Sequence, residues 1–194
     1  MLKAALFFFF ASSFFLISCE SRTISKKTYL DIDSLINAQI NSLVAAKARV
    51  SKTATLGDVK DQSEFLPDSL GWATELDVFR QLDVINKPTN KDAYLITDSE
   101  KDTNSNLTTR SYQAKSELPV RLLKLYYYKD LKNLKKIEAL FAEKNTLYYS
   151  KRSLTMDFDE IAGNNMLINY SINGTQKMIV SDTVRFTVQC AIVF

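Results

Sequence analysis

Histidine is absent from all 194 residues, which removes the commonest general base and the commonest metal-ligating side chain. Ser/His/Asp and Cys/His arrangements are excluded with it. Cysteine is nearly as scarce, with Cys19 and Cys190 the whole supply. Cys190 stands in an alternating apolar stretch, where a thiol reads as a small buried hydrophobe, a reactive thiol being the alternative. The four glycines, at 57, 71, 163 and 174, are isolated from one another, so no glycine-rich phosphate loop is encoded. A surplus of one charge is lacking too: the formal net charge is +3, too weak to argue for nucleic acid.

What is present begins at the N-terminus. Met1-Leu2-Lys3 is a short positive end, Ala4 to Phe15 is apolar with Phe7, Phe8, Phe9 and Phe10 in a row, and Leu16-Ile17-Ser18 leads to Cys19. Ala4 to Ser18 is 15 residues, followed at once by Glu20 and Arg22. A spanning helix needs about 20 apolar residues. A positive end, a short apolar centre and a small residue at the cut are the layout of a secretory signal.

Leu16-Ile17-Ser18-Cys19 resembles the lipobox of bacterial lipoproteins. The resemblance implies a thioether-linked diacylglycerol on the sulfur of Cys19, cleavage between Ser18 and Cys19, and acylation of the new amino group. Two or three acyl chains anchor far more firmly than one, at about 0.8 kcal/mol per buried methylene. With Cys19 lipidated, no intramolecular disulfide can form. Position 20 is Glu rather than the Asp that retains enteric lipoproteins in the inner membrane, which implies the outer membrane. Glu20-Ser21-Arg22 is a poor match to the acidic cluster of surface-exported lipoproteins, which favours the periplasmic face, with the cell surface as the alternative. Removing 18 of 194 residues leaves 176, and losing Lys3 takes the formal charge to +2. That length suits one domain.

The chain therefore divides into a signal at 1–18, the lipidated Cys19 with a polar tether over 19–27, and a single domain over 28–194. Ile32, Ile36, Ile40 and Leu43, with Ala46 and Val50, predict an amphipathic helix from about 28 to 49. Asn37, Gln39, Asn41, Lys47 and Arg49 occupy its other faces. Packing on its own domain is favoured over a membrane-surface or coiled-coil role. Residues 51–66 read as a short strand and a loop. Pro67-Asp68-Ser69 opens a second helix, capped by Asp68 or Ser69, whose Trp72, Leu76, Phe79 and Leu82 share a face. Pro88 ends it.

From Lys91 the period changes to two. Short strands are predicted over 94–97, 107–115, 120–128, 134–143, 146–158, 166–172 and 176–180, with Asp98 to Asn106 as a polar turn and Asn173-Gly174 as a hairpin. The last strand is the clearest, with Val184, Phe186, Val188, Cys190, Ile192 and Phe194 facing one way. The fold class is α+β: one or two N-terminal helices on a curved antiparallel sheet or half-barrel of about 7–8 strands. An outer-membrane barrel is disfavoured because several strands are short and carry Lys or Glu on both faces.

Trp72-Ala-Thr-Glu75-Leu76, Phe79, Asp83-Val-Ile-Asn-Lys-Pro88 and Asp92-Ala-Tyr94 resemble a group of uncharacterised lipoproteins of Bacteroidota, in which a helix, this stretch and a β-rich tail follow a lipobox. The resemblance implies the localisation and the helix-then-sheet order, and carries no site residues.

Carboxylates occur in two groups, Asp157/Asp159/Glu160 and Asp98/Glu100/Asp102. Either could serve a glycosidase-type hydrolase. The second could offer oxygens to calcium but lacks the EF-hand spacing. Both read better as solvated turn acids. Tyr126-Tyr127-Tyr128 and Tyr148-Tyr149, placed on adjacent predicted strands, read as packing residues, with a sugar- or lipid-contacting wall as the alternative. Asp33-Ser34, Asp68-Ser69 and Asp182-Thr183 resemble the O-glycosylation acceptor of Bacteroidota.

Cys19 is thus the sole assigned site. No catalytic, cofactor-binding or metal-ligating residue is assigned. The expected role is a non-enzymatic envelope lipoprotein that binds or supports a partner. Its partners are the membrane, through the lipid, and either an envelope protein or an apolar ligand, not nucleic acid. A carrier of an apolar or lipid ligand is the first alternative and a carboxylate-based hydrolase the second.

Overall fold

The computed structural model describes residues 27–179 and 182–194. The predicted signal, Cys19 and all of the tether except Lys27 lie outside the described residues. Among those described, no helix is long and apolar enough to cross a membrane.

Among the described residues nine antiparallel strands form one open sheet: β1 Arg49–Leu56, β2 Val59–Phe65, β3 Tyr94–Lys101, β4 Thr108–Ala114, β5 Val120–Tyr127, β6 Leu134–Lys144, β7 Tyr148–Ile161, β8 Asn164–Met178 and β9 Val184–Val193. Their order across the sheet is β2-β1-β9-β8-β7-β6-β5-β4-β3. From β3 to β9 the chain meanders, and the early β1–β2 hairpin adds onto β9. Helices α1 Ile32–Ala45, α2 Ser69–Glu75 and α3 Asp77–Arg80 are followed by 3-10 turns at Gln81–Asn86 and Pro88–Asn90, and a third 3-10 turn, Leu131–Asn133, precedes β6.

The α+β class holds, but two details differ from expectation. The sheet has nine strands rather than seven or eight, and helices and strands are not cleanly sequential. Residues 51–66 are most of a full hairpin, closed at Gly57, whose φ of 58° suits a residue without Cβ. This hairpin lies between α1 and α2.

The first helix is also shorter than its apolar period suggested. Asp31 caps it, accepting from Ser34 N–H at 2.9 Å. At the other end Lys47 takes φ 51°. Lys47 N–H then reaches Val44 C=O at 3.1 Å and Ala48 N–H reaches Leu43 C=O at 3.0 Å, a Schellman closure. The chain is thereby free to enter β1 at Arg49. The second predicted helix begins at the Asp68 cap, donated to by Gly71 N–H at 2.7 Å, but it breaks into α2, α3 and a 3-10 turn. The three-residue spacing of Leu82 and Ile85, both buried, matches three residues per turn. Lys87, with ψ 139°, stops it before Pro88 as expected.

One apolar cluster unites helices and sheet. Ile32, Ile36, Ile40 and Leu43 of α1 are 0–5% exposed, and Trp72, Leu76 and Phe79 are 0% exposed. They pack with Leu123 and Leu125 of β5, Ile137 of β6, Leu154 and Met156 of β7, Tyr170 of β8 and Cys190 of β9. Tyr29 meets Tyr94 and Tyr112 edge-on, each ring centroid at 5.5 Å.

Gln39, assigned by period to a polar face of α1, is instead 5% exposed. Between β7 and β8 the register slips, with Asp157 opposite Asn169 but Phe158 opposite Leu167, so Ile168 is an extra residue. Such a bulge interrupts the ladder. Gln39 joins the helix to this strand: Leu167 N–H donates to its Oε1 at 2.7 Å, and its Nε2 donates to Asn165 C=O at 3.0 Å.

The predicted hairpin at Asn173-Gly174 does not form. β8 runs straight through it, because Gly174 pairs with Phe186 of β9 and Arg152 of β7. A Cβ on Gly174 would stand 2.4 Å from the Phe186 ring, so the glycine makes room for the aromatic ring rather than for a turn. The β7–β8 turn is made by Ala162 and Gly163, at φ 49° and 79°, both in the left-handed region as a type I′ turn requires.

Replacing Gln39 by Leu should lower stability by about 2–4 kcal/mol, since a buried N–H and C=O lose their partners. Urea unfolding should show an earlier midpoint at unchanged slope. Ala162→Asn should act oppositely, adding about 0.5–1 kcal/mol because asparagine tolerates the left-handed region better. Thermal melts check this.

Candidate functional site

A cleft opens where the 3-10 turn Gln81–Asn86 approaches the ends of β5 and β6. Its volume is about 540 Å³, and its walls include Lys27, Asp33, Arg80, Asp83, Phe141 and Glu143. Gln81 and Glu143 also border a second hollow of about 430 Å³, walled by Tyr148, Ser150, Arg152, Gln176 and Phe186. The two hollows share that wall at the seam between helices and sheet.

Local structure explains the polar rim. Asp83 sits in the tight 3-10 turn, its side chain only 16% exposed. One oxygen accepts from Ile32 N–H at 3.2 Å and Asn86 Nδ2 at 3.0 Å, and the other accepts from Lys27 Nζ at 2.8 Å. Lys27 also donates to Asp31 at 2.7 Å and Asp33 at 3.2 Å. Partial burial pulls the Lys27 ammonium down, but its three carboxylate partners outweigh this and hold it above the usual lysine range. Asp31 responds in kind: burial raises it, and hydrogen bonds from Lys27 and Ser34 bring it below the usual carboxylate range.

Deeper in, the Arg152 guanidinium lies 4.5 Å from the Phe141 ring centroid. It donates to Gln81 Oε1 at 3.1 Å and stands 3.7 Å from Glu143, while its Nε is buried without a partner. Arg80 donates to Asn37 Oδ1 at 2.6 Å. The charged groups of the cleft are thus largely matched to one another, an arrangement suited to holding a polar partner by exchange of hydrogen bonds.

The carboxylates singled out from the sequence lie elsewhere. Asp159 accepts from Lys135 at 2.8 Å, which lowers its pKa. Glu160 is exposed. Asp157 stands opposite Lys136 in the β6–β7 register, and burial pushes its carboxyl above the usual range. None of the three lines the cleft. Asp98 pairs with Arg110 and accepts from Tyr127 Oη at 3.2 Å. Asp102 closes its own turn by accepting from Ser105 Oγ at 2.8 Å. Among the described residues no three carboxylates or thiols gather as a metal-ligating group.

The tyrosines also separate. Tyr126 and Tyr127 are on β5 and Tyr148 and Tyr149 on β7, with β6 between them, so the expected adjacency is corrected. Tyr126 Oη donates to Glu138 at 2.7 Å, and Tyr127 is buried. Cys190 is 4% exposed, and burial pushes its thiol up to about 11. Ser34 donates to Asp31 at 2.8 Å, Ser69 opens α2, and Thr183 is exposed. The cleft was missed because Lys27, Asp83, Phe141 and Arg152 share no local motif.

Since burial raises Asp157, the folded protein binds that proton more readily than the unfolded chain. Its contribution is fully present below the ordinary carboxylate range, near pH ~4, and declines as pH rises through the raised value. Asp157→Asn should therefore match the parent near pH ~3 and melt about 1–3 °C higher at neutral pH. Melting curves across pH check it.

No protein-family model, no curated protein and no solved structure matches this chain.

Proposed function

We propose that this is a lipid-anchored envelope protein that holds a protein partner at the periplasmic face of the outer membrane and performs no chemistry of its own. The lipobox-like Leu16-Ile17-Ser18-Cys19 supports the anchor, with the acyl chains on Cys19. The observation that carries the binding role is the filled interior. Ile36, Leu43, Trp72 and Phe79 between helices and sheet are 0% exposed, and a water-sized void beside them would show as accessible surface. An acyl chain has no room there, so recognition falls to the surface, where the charge-matched cleft and its second hollow are the most built feature.

A carrier of an apolar ligand is the second reading. It draws on the finer form of the fold, a half-barrel curling round the helices, and requires α1 to move away from the sheet against the Gln39 hydrogen bonds. The hydrolase reading has less support, because Asp157, Asp159 and Glu160 stand apart from the cleft.

The anchor is tested by intact mass of the protein extracted from membranes. The expected mass is that of residues 19–194 plus a diacylglycerol and an amide-linked acyl chain, and Cys19→Ser should leave the membrane fraction. A mass that retains residues 1–18 overturns the proposal.

A further inference from the structure

The β6–β7 turn and the end of β8 meet at one tip of the sheet, where Ile179 N–H donates to Leu147 C=O at 3.1 Å. Leu147 and Ile179 are each 68% exposed, Met178 46% and Tyr149 42%. These four, with the lysines beside them, line a shallow hollow of about 270 Å³. Exposed apolar side chains gathered at one place mark an interaction surface.

On the sheet face that carries Tyr149 the charge has one sign, while Glu143, which accepts from Tyr148 Oη at 3.3 Å, belongs to the other face. Tyr149 pairs with Lys144 on β6 and Lys177 on β8, so a lysine flanks the ring on each side. In the next row Lys151 faces Ala142 and Thr175, and Thr175 faces Arg185. The exposed sheet face at this end therefore presents Lys144, Lys151, Lys177 and Arg185 in two successive rows with no carboxylate among them. Apolar tips between cations suit a surface that is greasy within and negative at its boundary.

The start of the described chain lies at the same end of the sheet. Lys27 shares a cleft with Phe141 and Glu143, which lie near the end of β6, just before Lys144. Seven residues, 20–26, lie between Cys19 and Lys27, and the eight Cα-to-Cα steps reach at most roughly 26–29 Å. A lipid on Cys19 thus holds this tip, and not the opposite end of the strands, within range of the bilayer.

We propose that the tip formed by Leu147, Tyr149, Met178 and Ile179 docks into an anionic phospholipid surface, with Lys144 and Lys177 on the headgroups. This orients the domain and turns the cleft along the membrane. The orientation rests on the anchoring proposed above; the affinity of the tip for lipid does not.

The test uses the processed chain, residues 19–194, carrying Cys19→Ser, so that no acyl chain contributes. Flotation with phosphatidylcholine vesicles containing about 30% phosphatidylglycerol should show binding that is weak on pure phosphatidylcholine and falls with salt. The added pair Leu147→Asp and Ile179→Asp should weaken binding by about tenfold or more, with an unchanged melting curve because both side chains are exposed. Tyr149→Trp should give an emission that shifts to shorter wavelength on the anionic vesicles and is quenched by brominated lipid. Absence of binding to anionic vesicles, or binding unaltered by the aspartate pair, overturns the proposal. Intact mass of the native protein reads Cys19 separately, so either proposal can fail while the other stands.

Discussion

The docking of the first helix onto the sheet depends on one primary amide. A nine-stranded sheet must cover an apolar face, and α1 supplies part of that cover with Ile32, Ile36, Ile40 and Leu43. Apolar contact alone leaves such a helix free to slide, because burial is roughly proportional to area and carries little direction. Gln39 supplies the direction. Its amide meets the backbone of β8 at the place where Ile168 interrupts the ladder. A buried N–H left without an acceptor is costly, so the bulge and the helix register are mutually enforced. From that fixed helix, Asp83 and Lys27 tie the 3-10 turn and the start of the described chain, and the cleft takes its shape from them.

Much of the architecture was legible in short-range pattern. The spacing of Ile32, Ile36, Ile40 and Leu43 located α1, Asp68 located the start of α2, and Trp72, Leu76, Phe79 and Leu82 were found on one buried face. The alternation from Val184 onward located β9. What failed needed partners distant in the chain. Asn173-Gly174 is a strong turn signal by itself, yet Phe186 claims the space above the glycine. Gln39 looks like a solvent-facing amide until a bulge 128 residues later offers it an N–H. The cleft was not legible at all, since Lys27, Asp83, Phe141 and Arg152 come from four separate segments. Cys19, the one site assigned from sequence, precedes the described residues.

Electrostatics divide the surface into two kinds of region. At the cleft, cations and carboxylates are interleaved, so its charges are spent on one another and on shaping the turn. At the neighbouring tip of β6, β7 and β8 the cations are unopposed on their face, and apolar side chains stand exposed between them. Solvent-exposed ion pairs of the first kind add little stability individually, but three carboxylates on one ammonium order the point where the chain enters the domain. The unopposed cations have no carboxylate partner on their face and are available for an external anion.

The pairing of β1 with β9 has a kinetic side. Arg49 lies opposite Val193, so the first strand of the sheet finds its central neighbour only in the last residues of the chain. Contacts between such distant segments slow folding, because loop-closure entropy must be met before they form. The β1–β2 hairpin cannot join the sheet before β9 is in place, and an isolated two-stranded hairpin is at best marginally stable in water. Until β9 is in place, the hairpin made first and the edge of β8 both stay unpaired, so these segments are the ones most open to proteolytic nicking or to pairing with another chain while the domain folds.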